Sequence, residues 1–361
     1  MNKFKSIALI ALAGLFLQSC NNDDSPINNP EQGTYSKGVF VLNEGGMGSA
    51  NADITYYNPN EKISDTNPIQ NIFKKANAGA QLGDVAQDFV FKGNKGYIVV
   101  NNSNKVEIVD NTSFKKVSTI TENILNPRYL AVTDKYIYVT NWGTSSDPND
   151  DYIAVYTSSD NKFVKKISVA EGPGHIIAEN NVIYVAFEES GRNNVYGKSI
   201  AIIDEAKNST TTIVVGDSPT GLVKTGNYLF VLSQGLPSWS SNETAGSLTR
   251  IDLANNNNTS TFNLSKTEHP DYLVESDGYL YYAIAKDVYK MKVDASALPT
   301  SKLFKSTATY LYGLKVNGSS IYVLDAKDFK SAGNLSVYNT TGVLQEDITT
   351  GIGPNSIIVK K

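Results

Sequence analysis

The sequence predicts an all-β chain folded as a ring of seven blades, a β-propeller closed by pairing of its N- and C-terminal strands. Three observations carry this. A short strand pattern recurs seven times between residues 38 and 325. The two ends of the repeat region are truncated in complementary ways. No segment shows a sustained helical period with caps.

The recurring unit is Ile/Leu/Val, then an aromatic in six of the seven copies, then Val in six of the seven, then a turn. It reads Val39-Phe40-Val41-Leu42, Ile98-Val99-Val100, Ile137-Tyr138-Val139, Ile183-Tyr184-Val185, Leu229-Phe230-Val231, Leu280-Tyr281-Tyr282 and Ile321-Tyr322-Val323. The copies are spaced at a blade-like period with strands only. A strand precedes most copies and is usually opened by proline, at Pro127, Pro173, Pro219, Pro270 and Pro354. Proline at a strand start costs no ladder bond. A third strand follows the copy, as in Ile54-Thr55-Tyr56-Tyr57 and Val106-Glu107-Ile108-Val109, and then a fourth, as in Lys116 to Ile120. The chain enters the array at a second strand, Gly38, and leaves it on a lone first strand, Pro354 to Val359. The C-terminal strand is therefore expected to complete the blade begun at residues 38–43, which removes both open edges. Seven four-stranded sheets follow.

Composition narrows the function. Net charge is −4 and the pI about 5.4, against a broad nucleic-acid surface. One cysteine excludes a disulfide framework and a multi-Cys zinc site, and two histidines leave little for His-based metal or acid–base chemistry. There is no HExxH, no GxSxG and no Cys/His cluster. Glu188-Glu189 are adjacent, so on a regular strand they point to opposite faces. Asn43-Glu44-Gly45-Gly46-Met47-Gly48 is Gly-rich but precedes no helix, so a phosphate cradle is not expected. Asp147-Pro148-Asn149-Asp150-Asp151 gathers hard oxygens but lacks the spacing of a calcium loop and reads as a solvated tip. No metal and no cofactor enters the expectation.

Residues 1–19 read as a targeting segment: Lys3 and Lys5, then an apolar run from Ile7 to Leu17, too short for a comfortable membrane span. Leu17-Gln18-Ser19-Cys20 resembles the lipobox of bacterial lipoproteins, where cleavage precedes a cysteine that then carries lipid. Gln18 is bulkier than the usual small residue. Removing the leader leaves 30 basic and 36 acidic side chains, net −6. Residues 20–37 read as the lipidated Cys20 and a flexible tether, polar and Pro-containing, and residues 38–361 as the propeller. Asp23-Asp24 resembles a surface-export signal of Bacteroidetes lipoproteins.

In a propeller the loops entering first strands and those leaving second strands open on one face. Four of the latter are long: Asn43 to Ala52, Asn141 to Tyr152, Phe187 to Ser199 and Ser233 to Ser247. They hold both tryptophans, Trp142 and Trp239. Entering segments add Arg128, Tyr129, His175, His269, Tyr272, Tyr310 and Tyr312. The candidate ligand contacts are Trp142, Trp239, Arg128, His175, His269, Tyr272, Tyr310 and Phe187: aromatics for stacking and a few polar groups for orientation. The competing reading of Tyr129, Tyr272 and Tyr312 is packing between blades.

The run Gly38 to Gly45, with Leu82-Gly83-Asp84-Val85-Ala86-Gln87, Tyr97 to Asn102 and Pro127-Arg128-Tyr129, resembles the YncE-like, seven-bladed surface lipoproteins of Bacteroidetes. These include BtuG-type proteins. The resemblance implies an outer-membrane, cell-surface lipoprotein that captures cobalamin or another scarce nutrient. It also implies hand-over to a TonB-dependent outer-membrane transporter, without catalysis. A glycan, a siderophore or a partner protein are alternative ligands, and a propeller-fold lyase or lactonase is the enzymatic alternative.

Overall fold

In the computed structural model, which describes residues 33–144, 146–189 and 195–361, every copy of the repeat lies in the second strand of its own antiparallel sheet. Those strands run Gly38–Asn43, Lys95–Val100, Tyr136–Asn141, Val182–Glu189, Tyr228–Ser233, Tyr279–Ile284 and Ser320–Asp325. They are buried almost throughout, because each is covered by a neighbouring blade on both faces. This is why they read as unbroken apolar runs and not as alternating ones. The outermost strands, such as Ser209–Val214 and Asn258–Asn263, face solvent and carry Thr, Ser and Asn.

The apolar interior is divided into seven clusters, one at each seam between blades. The seam that closes the ring joins Val39, Val41 and Tyr57 to Tyr322, Leu324, Leu335, Ile348 and Ile357. Strand pairing closes it too. Gly38–Asn43 pairs antiparallel with Pro354–Lys360, from Gly38 opposite Lys360 to Asn43 opposite Pro354. The N- and C-terminal strands thus share a blade, as expected.

That shared blade departs from expectation in having three strands, while the other six have four. Its outer position holds a single bridge, Tyr56 to Ile69, whose two N–H···O bonds measure 2.9 and 2.7 Å. A short helix, Ile72–Ala76, then tucks Ile72, Phe73 and Ala76 inward. Asp53 organises this. Its carboxylate accepts the N–H groups of Phe73 (2.9 Å) and Lys74 (3.1 Å) at the helix start. Burial raises its pKa to about 6, although these bonds pull the other way. The packed chain also starts earlier than Gly38. Tyr35, assigned to the tether, is 1% exposed, its N–H donates to Thr112 O (2.9 Å), and its ring meets Tyr56 and Phe114 edge-on. The leader, Cys20 and the first part of the tether lie outside the described residues. No helix among the described residues is long and apolar enough to cross a membrane.

Candidate functional site

Seven inner strands surround the axis: Ala86–Lys92, Pro127–Val132, Pro173–Glu179, Pro219–Thr225, Pro270–Ser276, Leu311–Asn317 and Pro354–Lys360. Each begins irregularly. The pairing register slips within the first few residues of the strand in every blade. A bulge unpairs a residue and re-aims side chains. Here it turns the second and third residues toward the axis. Gln87, Asp88, Arg128, Tyr129, His175, Thr220, Asp271, Tyr272, Tyr312 and Asn355 thereby line one central cavity of about 640 Å³. Leu130, Ile176, Leu222, Leu273 and Leu314 line it as well and supply its apolar wall.

The centre of the ring is polar and mutually bonded. His175 Nδ1 lies 2.5 Å from Glu188 Oε1, and the His175 backbone N–H donates to the same oxygen at 2.8 Å. The imidazole stacks on Tyr129 with centroids 3.9 Å apart. Gly174 makes this possible: a Cβ there would sit 2.0 Å from Glu188 Cδ. Enclosure by protein works against a charged imidazole, but Glu188, Asp88 and Asp271 outweigh it and hold the His175 pKa above its ordinary value. Asp88 accepts the N–H groups of Phe89 (2.8 Å) and Leu130 (2.9 Å). Asp271 accepts from Tyr272 N–H (2.9 Å) and weakly from the Gln234 amide (3.4 Å). Enclosure raises both carboxyls, Asp271 to about 6. At the rim, Glu44 accepts from Asn355 Nδ2 (2.9 Å) and Tyr312 O–H (3.2 Å).

Because the chain has two histidines, the His175 ring protons are readily followed by NMR. Glu188→Gln is expected to lower the His175 pKa, since it removes the charge that raises it. The wild-type pair stabilises the fold at acid pH and loses that contribution as pH rises through the raised value. A titration of His175 that does not move in the variant would refute the pairing.

Two readings of the sequence are corrected. Glu188 and Glu189 do not diverge: the register slips between Phe187 and Glu189, and both line the cavity. The two histidines, read as leaving little for acid–base chemistry, each have a carboxylate partner, Glu188 for His175 and Glu243 for His269, the latter 3.3 Å from Nε2.

Of the eight candidate contacts, the structure brings Arg128, His175 and Tyr272 together at the cavity. Trp142 stands behind them. It is 8% exposed, its indole N–H donates to Pro173 O (3.1 Å), and the Arg128 guanidinium lies 3.9 Å above its ring. It shapes Arg128 and is no loop-tip anchor. Phe187 is 3% exposed and packs into a seam with Tyr138 and Val155, in the core and not in the cavity lining. His269 does not line the cavity; its Nδ1 lies 3.0 Å from Gln234 O. Tyr310 is 51% exposed and forms an aromatic ridge with Phe329 and the cavity residue Tyr312. Trp239 is 79% exposed on a single 3-10 turn, Ser238–Ser240, apart from the cavity lining. The acidic loop 147–151 is organised by turn bonds, with Asp150 Oδ2 accepting Thr144 N–H and O–H. Among the described residues no group of three or more His, Cys, Asp or Glu is placed to hold a metal.

The sequence reading missed Asp88, Glu188, Asp271 and Glu44 as site residues. A signal was present for one of them. The first or second residue after a strand-opening proline faces the axis, and this finds Arg128, His175, Thr220, Asp271, Tyr272 and Asn355.

A family model described as a domain of unknown function (DUF5074) matches residues 37–347. No protein of curated function matches the chain. Solved structures share its fold. A quinonprotein alcohol dehydrogenase-like protein from Bacteroides thetaiotaomicron aligns with TM-score 0.68 and 13% identity, covering 91% of this chain and 79% of that one. A hypothetical selenium-binding protein from Sulfolobus tokodaii gives 0.68 and 12%, covering 92% and 94%. A functionally unknown protein from Desulfotomaculum acetoxidans gives 0.64 and 13%, covering 90% and 99%. At such identities the likeness is one of fold alone.

Proposed function

The chain belongs to the DUF5074 family, and from the ring at its axis we propose that it is a binding protein that captures a large, partly planar nutrient without transforming it. The observation that carries this is the set of seven bulged strand starts, which deliver blade-specific polar side chains to one cavity beside an exposed aromatic ridge. Pockets of this size with a few convergent polar groups are ordinary ligand sites. Tyr310 and Phe329 offer stacking area at the rim, and the axial groups fix orientation. A corrinoid is the first ligand to test, with ferric siderophores and oligosaccharides beside it.

The proposal includes anchoring through Cys20 in the outer membrane, exposure at the cell surface, and transfer of the ligand to a TonB-dependent transporter. Its support is the leader and the lipobox-like Leu17-Gln18-Ser19-Cys20. Cys20→Ser is expected to move the protein from the membrane to the soluble fraction. Unchanged membrane fractionation would remove the lipid anchor from the proposal.

Calorimetry of the purified protein against that panel tests the binding itself. Trp239 is the clean probe of how far the ligand extends beyond the cavity. Its exposure means Trp239→Ala should leave the melting temperature unchanged. An aromatic anchor buried by ligand typically contributes about 2 kcal/mol or more, so the dissociation constant should rise roughly thirtyfold. Unchanged affinity would confine the ligand to the axis. The His175–Glu188 pair favours a second reading, acid–base catalysis by a lyase or lactonase, because it joins a carboxylate to an imidazole in the cavity. Turnover of a bound panel member would establish that reading in place of the first.

A further inference from the structure

We infer that the part of the ligand entering the axial cavity is a cationic nitrogen, an ammonium or amidinium, received between Asp271 and Asp88 beside the rings of Tyr129 and Tyr272. This rests on the binding reading above and narrows the ligand to compounds that carry a basic nitrogen.

The argument is one of uncompensated charge in an aromatic enclosure. Asp88 and Asp271 stand in different blades and both line the central cavity with His175. Neither forms an ion pair among the described residues. Asp88 is bonded to backbone N–H groups, and Asp271 to one backbone N–H and a long amide contact. Of the basic groups among the described lining residues, His175 is already bonded to Glu188. Among the described residues the lining of this cavity carries five carboxylates, Glu44, Asp88, Glu188, Glu189 and Asp271, against three basic groups, Arg128, His175 and Lys315. Enclosed carboxylates without a counter-charge are costly. A guest that brings positive charge removes that cost, and an anionic guest increases it. Burial raises the pKa of both carboxyls, in keeping with that cost.

The lining suits such a guest for a second reason. Tyr129 and Tyr272 border the same space, and tyrosine rings attract cations. Tyr272 reaches it through an unusual backbone. Its φ is 61°, whereas Val85, Asn126, Gly172, Ser218 and Gly353 take the left-handed conformation one residue before their inner strands. In this blade the left-handed residue lies inside the bulge, where it seats both Asp271 and Tyr272 at the cavity. A bulky residue there is strained and persists where its surroundings enforce it.

The positive groups do not cancel the preference. Arg128 lines the cavity with its guanidinium against Trp142, and its charge acts on Glu44 and Glu189. Its Nε is buried with no hydrogen-bond partner among the described residues and is suited to an acceptor elsewhere on the same ligand. Lys315 lines the cavity too, and burial lowers its pKa from the ordinary lysine value.

The test uses choline and its neutral isostere 3,3-dimethylbutan-1-ol, titrated into the purified protein and followed by NMR. The expected result is that choline binds at least about tenfold more tightly than the isostere, a difference of ~1.4 kcal/mol. Asp271→Asn should erase that difference. Asp88→Asn is the second variant, and melting curves confirm that each is folded. Equal binding of the two probes, or a charge preference that survives in both folded variants, overturns the inference. If a nutrient from the calorimetric panel binds while the probes show no preference, the inference fails and the binding reading stands. If the charge preference is found and no nutrient binds, the inference stands and the binding reading loses its support.

Discussion

A chain ending before Pro354 is expected to lose its cooperative thermal transition altogether. The missing strand pairs with Gly38–Asn43 along its whole length, and it contributes Ile357 to the closing seam. On its other face Ile358 packs against the next seam, with Phe40 and Phe89. Lys360 adds hydrogen bonds from Nζ to Asn111 O (2.7 Å) and Tyr35 O (3.2 Å), which fasten the entry of the chain. Without the strand, the wholly buried Gly38–Asn43 becomes an apolar sheet edge, a template for aggregation. Calorimetry of the protein lacking residues 354–361 checks this. A parental melting curve would mean that the ring does not depend on its shared blade.

Trp142→Ala is expected to destabilise the protein by about 3–5 kcal/mol, the range for truncating a large buried aromatic. A long loop of Asn, Ser, Gly and Asp surrounds this tryptophan in the sequence, and there it reads as an exposed anchor. In the structure its indole is buried, its N–H is satisfied by Pro173 O, and one face carries Arg128. Truncation leaves a cavity, orphans a carbonyl and releases the guanidinium. Trp142→Phe keeps much of the volume and loses the hydrogen bond, so about 1 kcal/mol is expected. Chemical denaturation of both variants reads these effects. A midpoint for Trp142→Ala within error of the parent would return the residue to the solvent-facing class. Loss of ligand affinity in Trp142→Ala would then have to be separated from loss of structure, whereas Trp239→Ala carries no such confusion.

The contrast between the two tryptophans shows what sequence can and cannot convey here. The ring was legible because its second strands are buried on both faces, and such strands write themselves as apolar runs with turns between. Closure was legible because the first and last blade fragments complement each other. The three-stranded blade was not, since Asp53, Ile69 and the helix Ile72–Ala76 replace a strand through one bridge and one capping carboxylate, neither of which has a repeating pattern. At the site, Arg128, His175 and Tyr272 could be placed on the correct face because prolines mark where inner strands begin. Glu188 could not. Strand alternation sends it away from Glu189, and the irregularity that brings both to the cavity depends on pairing with a distant strand. Tyr35 was lost to the tether for a similar reason, as a single aromatic in polar surroundings gives no period.

The blade shared by both ends also dictates the order in which the molecule is assembled. Synthesis delivers Gly38–Asn43 before any other strand of the ring, yet its partner Pro354–Lys360 emerges after all the rest. The six intervening sheets can each form from neighbouring segments and stack on one another as they appear, a local and rapid process. Once stacked, they carry the two end strands round to each other. The loop to be closed is then a nearly complete arc of structure, not a free coil whose ends must find one another. Refolding should therefore show early recovery of strand signal and a later step in which the environment of Tyr35 and Tyr57 becomes native, and that step marks the moment the ring becomes a single cooperative unit.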